Sequence, residues 1–314
     1  MKILANDGID QTGQKMLEDA GYQVDTVTIS QDELPGKLND YDAIIVRSAT
    51  KVRQDLIDQS PNIKVIARGG VGMDNIDVDY ARGKGVKVVN TPAASSQSVA
   101  ELVFGHAISL SRFIHLANRE MYEKGNTEFK KLKKAYSDGR ELRGKTFGVI
   151  GLGRIGRKVA EMALGLGMKV VGTDPMVDEV TLQVELHPAY GQKLSVTVPS
   201  ISMDELLREA DVITLHVPGG SILGAEELAK TKKGVILVNA ARGGVIDEDA
   251  LLAALESGQV AGAGLDVFVN EPTPRQDLLR HPRVSVTPHI GASTNQAQEN
   301  IGIELAEQII AILG

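Results

Sequence analysis

The run Val149-Ile150-Gly151-Leu152-Gly153-Arg154-Ile155-Gly156 carries three glycines in G-x-G-x-x-G spacing, and an acid, Asp174, stands 18 residues beyond the last of them. This order predicts a dinucleotide site. A strand over 146–150 leads into a tight turn at Gly151, Gly153 lets the backbone approach a pyrophosphate, and Gly156 lets the next helix pack closely. The helix N-terminus offers unpaired N–H groups and partial positive charge to an anion. A second strand over 168–173 delivers Asp174 to the point where a carboxylate accepts both ribose hydroxyls and repels a 2′-phosphate. Because Pro175 rather than arginine follows, the expected cofactor is NAD.

Three further polar residues, Arg242, Glu271 and His289, fall beyond the carboxyl ends of predicted strands, where open α/β sheets place their ligands. Oxidising an alcohol with a nicotinamide requires a hydride acceptor, a base for the hydroxyl proton and a cation to orient an adjacent carboxylate. Histidine suits reversible proton exchange near neutral pH. A carboxylate on its other ring nitrogen fixes the tautomer and stabilises the charge that arrives with the proton. Arginine grips a carboxylate with two parallel bonds. Singly, each residue has an ordinary explanation as an ion pair, a turn before Pro272 or an edge cap. Downstream of a dinucleotide turn they match the chemistry as a set.

The elements that must position these groups follow from the hydropathy pattern. Strand-length apolar runs near Ile3 and over 24–28, 43–46, 65–67 and 86–89 alternate with helical segments, and a second series covers 147–150, 169–172, 212–215, 234–238 and 261–265. The fold expected is α/β, with two doubly wound parallel-sheet domains. A long helix over 95–124, capped by Ser98, bridges them. A last strand over 284–287 and an amphipathic helix over 294–313 return to the first domain. The outer domain is therefore expected to be discontinuous, 1–94 with 288–314, around a nucleotide-binding domain over 95–287. The segment 176–200, with His187 and Tyr190, has no functional reading.

At 314 residues, with 42% hydrophobic and 24% charged residues, the chain has ample material for two cores. A net charge of −7 argues against nucleic-acid and anionic-membrane partners and means that an anionic substrate needs local cations. The basic run over 128–143, with Lys130, Lys131, Lys133 and Lys134, reads first as a solvated helix face. No cysteine is present, which excludes disulfides, thiolate metal sites and cysteine nucleophiles. No metal site is expected. The start of the chain reads as a first strand rather than a signal segment, and no apolar run approaches the ~20 residues that span a bilayer. A cytoplasmic protein is expected.

Several blocks together resemble the D-isomer-specific 2-hydroxyacid dehydrogenases, and within them most closely the D-3-phosphoglycerate dehydrogenase branch. They are Val46-Arg47-Ser48-Ala49-Thr50-Lys51-Val52, Arg68-Gly69-Gly70-Val71-Gly72-Met73-Asp74-Asn75-Ile76-Asp77, Asn90-Thr91-Pro92, the glycine turn, Ala241-Arg242-Gly243-Gly244-Val245-Ile246-Asp247-Glu248, Leu265-Asp266-Val267-Phe268 and Pro288-His289-Ile290-Gly291-Ala292-Ser293-Thr294. The resemblance implies a Rossmann NAD-binding domain inserted into a flavodoxin-like substrate domain. It implies His289 as acid/base, Glu271 as its partner and Arg242 as the group orienting substrate.

By the same resemblance Asp266 binds the nicotinamide carboxamide, and Ala240, Ala241, Gly291 and Ala292 complete that pocket. Arg154 and Ile155 lie over the pyrophosphate, and Val217 and Pro218 beside the adenine. Backbone N–H groups of Gly70 and Val71 receive the substrate carboxylate. Arg47 and Ser48, with Arg68 and Lys134, take the far end of a small phosphorylated 2-hydroxy acid. The implied reaction is oxidation of 3-phospho-D-glycerate to 3-phosphooxypyruvate, the first step of the phosphorylated route to serine. The resemblance further implies hinges over 90–95 and 287–289 and a homodimer joined through the nucleotide domains at 95–143. The loop after Pro218 is shorter than the family's, 176–200 is longer, and no carboxy-terminal regulatory domain is expected. A glyoxylate or hydroxypyruvate reductase is the alternative within the family, and a dinucleotide-sensing protein that binds partners is the alternative outside enzymology.

Overall fold

The computed structural model describes residues 1–314. Along the chain come β1 (Lys2–Ala5), α1 (Gln11–Asp19), β2 (Gln23–Asp25), α2 (Leu34–Lys37), β3 (Ala43–Val46), α3 (Gln54–Asp58), β4 (Val65–Arg68), α4 (Val78–Gly83) and β5 (Lys87–Asn90). Two helices follow, α5 (Ser96–Ser111) and α6 (Ile114–Ala135). Then come β6 (Thr146–Ile150), α7 (Arg154–Gly165), β7 (Lys169–Thr173), β8 (Glu179–Glu185), β9 (Lys193–Pro199), α8 (Met203–Glu209) and β10 (Val212–Leu215). The remainder is α9 (Ala225–Lys230), β11 (Val235–Asn239), α10 (Glu248–Ser257), β12 (Val260–Leu265), α11 (Gln276–Arg280), β13 (Val284–Val286) and α12 (Asn295–Leu313).

The chain divides into two compact units, Met1–Ser98 with Ala292–Gly314, and Val99–Gly291. Each expected boundary shifts by four residues. Ser98 Oγ meets Thr294 Oγ1 at 2.7 Å, tying the first turn of α5 to the closing segment, while the loop through Gly291 is bound to Asp266 in the second unit.

The first unit holds a five-stranded parallel sheet in the order β2-β1-β3-β4-β5, the flavodoxin-like order. Alternate residues serve opposite faces. Leu4, Ile44, Val46 and Ile66 enter one core, and Ile3, Ala5, Ala43, Ile45, Val65 and Ala67 the other, where α12 supplies Ile301, Leu305 and Ile309. Burial on both faces is why these strands read as unbroken apolar runs.

The second unit holds a six-stranded parallel sheet in the order β13-β12-β11-β10-β6-β7, again with a core on each face. The strand order reverses between β6 and β10, so the crevice beyond their carboxyl ends is the topological switch point.

Two expectations are corrected. The single helix over 95–124 is two helices bent by 62°, with Phe113 in the left-handed region at φ 56° between them. The cause is tertiary, because the Ser111 carbonyl accepts from Arg140 N–H at 2.8 Å and Phe113 packs on Tyr136. Ser98 is inside α5 and does not cap it. The segment 176–200 is an antiparallel hairpin, β8 with β9, which sends Val180, Leu182 and Val198 into the core beside α7. No single helix is long and apolar enough to cross a membrane.

Candidate active site

At the switch point β6 runs straight into the glycine turn. Gly151 has φ 94°, and a Cβ there would strike the carbonyl oxygen of His216. A Cβ at Gly156 would overlap the Gly151 carbonyl oxygen, so α7 sits directly on the turn. At Gly153, the N-cap of α7, a Cβ would instead meet nothing within 4 Å. The turn is thus closed against protein on two sides and open above its central glycine, and the free N–H groups of Arg154 and Ile155 follow there. This cradle fits a pyrophosphate.

Asp174 stands at the end of β7. Its Oδ2 accepts from Leu152 N–H at 2.7 Å and its Oδ1 from Met176 N–H at 2.9 Å, leaving capacity on both oxygens for ribose hydroxyls. Val217 and Pro218 follow β10, with the latter exposed.

After β11, Asn239 closes the next turn. Its Oδ1 accepts from Ala241 N–H at 3.0 Å and its Nδ2 donates to the Arg242 carbonyl at 2.9 Å. Arg242 is half-buried, with Nη1 donating to the Ala241 carbonyl at 2.7 Å.

Asp266 follows β12 and is 1% exposed. Its Oδ1 accepts from Thr287 Oγ1 (2.7 Å) and Ile290 N–H (2.8 Å), its Oδ2 from Gly291 N–H (2.8 Å) and its carbonyl from His289 N–H (2.8 Å). Expected to meet a nicotinamide carboxamide, the Asp266 carboxylate is largely spent on clamping the loop that carries His289. That loop needs a clamp, because His289 sits at φ 55°, a sparsely populated region for a side chain of its size.

His289 Nδ1 lies 2.8 Å from Glu271 Oε2, and Glu271 Oε1 accepts from Phe268 N–H at 2.9 Å. The carboxylate is held at one oxygen and holds the ring with the other. With Nδ1 facing a carboxylate it carries the proton, so the neutral ring presents Nε2 as a bare acceptor. A cavity of about 360 Å³ adjoins the pair, with Phe268, Pro272, Leu279 and Val286 forming its apolar wall.

In the first unit, Arg47 and Ser48 follow β3 and Arg68 ends β4. Asp7 accepts from Arg47 N–H at 2.6 Å and Thr50 N–H at 3.1 Å, and Asn75 donates to the carbonyls of Arg47 (2.8 Å) and Thr50 (2.7 Å). The Arg47 backbone is pinned on both sides, while no acidic side chain pairs with its half-buried guanidinium.

One expectation fails in detail. Gly70 N–H does not point outward to receive a carboxylate. It donates to Thr91 Oγ1 at 2.7 Å, and Gly70, at φ 137°, leaves the space that the Arg68 guanidinium occupies. Val71, 37% exposed, is left as the outward member of that turn. Lys134 lies exposed in the last turn of α6. Sequence reasoning overlooked Thr287, Asn239 and Asp7. Thr287 ends the expected strand 284–287, and Asn239 directly follows the expected strand 234–238, where an amide can close a turn on Ala241 and Arg242, whereas Arg47 and Thr50 reach Asp7 only on folding.

Residues 104–291 match the D-isomer specific 2-hydroxyacid dehydrogenase, NAD binding domain. The chain is 44% identical to a hydroxypyruvate reductase of Thermotoga maritima, covering 100% of this chain and 98% of that protein. It is 43% identical to the D-3-phosphoglycerate dehydrogenase of Methanocaldococcus jannaschii over 100% of this chain, and so spans 57% of that relative's length. Among solved structures, the TT0316 protein from Thermus thermophilus superimposes with a TM-score of 0.83 at 30% identity, covering 100% of this chain and 97% of the other. A glyoxylate reductase from Paecilomyes thermophila gives 0.82 at 29% identity, covering 98% and 94%. The switch-point cradle, the acid at Asp174 and the His289–Glu271 pair thus stand on a chain that belongs to the D-isomer specific 2-hydroxyacid dehydrogenase family, an NAD-dependent enzyme acting on 2-hydroxy acids.

Proposed function

We infer that the chain oxidises 3-phospho-D-glycerate to 3-phosphooxypyruvate with NAD+, the first step of a phosphorylated route to serine. The observation that carries the chemistry is the His289–Glu271 pair at 2.8 Å, with the carboxylate itself pinned by Phe268 N–H. Bound NAD+ supplies the two-electron acceptor. His289 Nε2 takes the proton of the C2 hydroxyl as that carbon gives up its hydrogen with the electron pair. Glu271 stabilises the imidazolium so formed through Nδ1–H. Arg242 orients the substrate carboxylate, and Asp266 holds the His289 loop.

Arg47 supports the phosphorylated substrate. Its backbone is clamped and its cation has no acidic partner in the chain, as an anion site in a protein of net charge −7 requires. Identity of 44% along essentially the whole length of a hydroxypyruvate reductase favours a second reading, in which the unphosphorylated acid is the substrate. The exposed apolar side chains of α5 and α6, including Ile114 (50%), Met121 (42%) and Phe129 (57%), support a homodimer through this helical segment.

The test is NADH formation from 3-phospho-D-glycerate with the keto product trapped by hydrazine, run beside NADH consumption with hydroxypyruvate and glyoxylate. Turnover of the phosphorylated acid that disappears in His289→Ala, and suffers chiefly in KM in Arg47→Ala, is expected. Activity confined to the unphosphorylated acids, unchanged by Arg47→Ala, overturns the phosphate assignment and leaves the redox chemistry standing.

A further inference from the structure

The imidazole of His106, on α5, is buried inside the second unit at 3% exposure with partners on both nitrogens. Nδ1 lies 2.9 Å from Ser285 Oγ and Nε2 3.0 Å from Thr287 Oγ1. The Thr287 hydroxyl in turn lies 2.7 Å from Asp266 Oδ1. Each Asp266 oxygen already receives a backbone N–H, from Ile290 and from Gly291, so the carboxylate serves as acceptor throughout.

That end sets the direction of the whole chain of bonds. The Thr287 hydroxyl commits its one proton to Asp266 and can only accept from His106, which must therefore carry its proton on Nε2. Burial pushes the His106 imidazole below its ordinary value, against the opposing pull of Asp266, and keeps it neutral. Nδ1 is then an acceptor, and the Ser285 hydroxyl donates to it. The backbone makes room for this ring, because a Cβ at Gly264 on β12 would stand 2.5 Å from the His106 Cβ. A strand position has given up its side chain where the histidine lies.

We propose that His106 is a positioning residue for the dehydrogenase reaction, holding through Thr287 and Asp266 the loop on which the His289 imidazole is aimed. The proposal rests on the reading of His289 as the acid/base. Asp266 binds the N–H groups of His289, Ile290 and Gly291, so any rotation of its carboxylate is passed to the residue at φ 55°. Thr287 Oγ1, seated between His106 and Asp266, limits that rotation. Small displacements of a proton-transfer group lower the chemical step far more than substrate affinity.

The test compares His106→Leu, His106→Gln, Thr287→Val and the double variant His106→Leu/Thr287→Val with wild type and His289→Asn. Readouts are kcat and KM on whichever acid wild type turns over, NADH affinity by fluorescence titration, and Tm. The expected result is a roughly ten- to hundredfold loss of kcat in His106→Leu and in Thr287→Val. KM and NADH affinity should stay within about twofold, and the double variant should be no worse than the poorer single one. His106→Gln, whose amide can donate to Thr287, should recover most of the activity. Wild-type kcat in Thr287→Val and His106→Gln together with wild-type kcat in His106→Leu, whatever happens to Tm, overturns the proposal. If His106→Leu does not fold, Thr287→Val decides, since it removes the link with little change of shape. Full activity in His289→Asn would instead sink the underlying assignment of the acid/base.

Discussion

Replacing Asp266 by asparagine keeps the shape of a buried side chain and removes one of its acceptors. The carboxylate now takes bonds from Thr287 Oγ1, Ile290 N–H and Gly291 N–H at 2.7 to 2.8 Å. In the better of its two orientations an asparagine oxygen keeps Thr287 and Ile290, and its NH2 then faces the Gly291 N–H. One charge-assisted hydrogen bond is lost and a buried donor is left unsatisfied, together about 3 kcal/mol. For a domain of about 150–250 residues, 1 kcal/mol moves Tm by roughly 2–4 °C, so the transition of the Val99–Gly291 unit should fall by roughly 6–12 °C in scanning calorimetry. The same change frees Gly291, and His289 relaxes out of a conformation that costs on the order of 1–3 kcal/mol to hold. kcat should therefore drop at least about tenfold while KM for the acid moves little. A variant that melts within 2 °C of wild type (roughly the repeatability of the scan) and turns over at the wild-type rate would show that the clamp neither stabilises the unit nor aims the histidine.

Gly156→Ala should weaken NADH binding by about tenfold or more in a fluorescence titration, since its Cβ would overlap the Gly151 carbonyl oxygen and lift α7 off the turn; unchanged affinity would contradict the cradle. Burial pushes His216 down to about 3 and lowers His106, so both stay neutral in the fold while the unfolded chain binds protons below about pH 6.5. Their contribution is complete above that value and is lost as the pH falls from 6.5 towards 3. Tm measured over this range should fall more steeply in wild type than in His216→Asn, and parallel profiles would argue against it. Phe129→Glu, on the exposed face of α6, should convert a dimer to a monomer in sedimentation velocity, whereas an unchanged species would place the contact elsewhere.

Elements buried on both faces of a parallel sheet are legible in the sequence because each contributes an unbroken apolar run, as Ala43–Val46 and Val235–Asn239 do. The glycine turn is legible because its demands are local, and so is the placement of Arg242, Glu271 and His289 within three to six residues of the ends of β11, β12 and β13. Tertiary causes are not. Nothing in the residues around Ser111 announces the helix break, which depends on Arg140 reaching its carbonyl. Ser98 lies in a serine-rich stretch in which several positions suit a cap, and its actual partner, Thr294, is 196 residues away. The β8–β9 hairpin did leave a signal, since Glu179-Val180-Thr181-Leu182-Gln183-Val184-Glu185 alternates with strand period before the turn around Pro188 and Gly191. The role of Gly70 was misjudged for a subtler reason, because its N–H is claimed by Thr91, a residue that reaches it only when β4 and β5 are paired.

The closing helix α12 has a consequence for the order in which the polypeptide can fold as it leaves the ribosome. Gly13 on α1 and Gly302 on α12 meet so closely that neither has room for a methyl group, and Ile301, Leu305 and Ile309 complete one face of the first sheet. All five strands of that sheet are synthesised before Val99, yet the helix that covers Ile3, Ala5, Ala43, Ile45, Val65 and Ala67 emerges only after the whole second unit. A nascent chain therefore carries an uncovered apolar sheet face through the synthesis of nearly two hundred further residues, with its stretch of exposure set by the length of the insertion. Such a face is a natural client for chaperones. The second unit, whose contacts lie within one continuous segment, can reach its native state first and wait for the earlier half to be completed by α12.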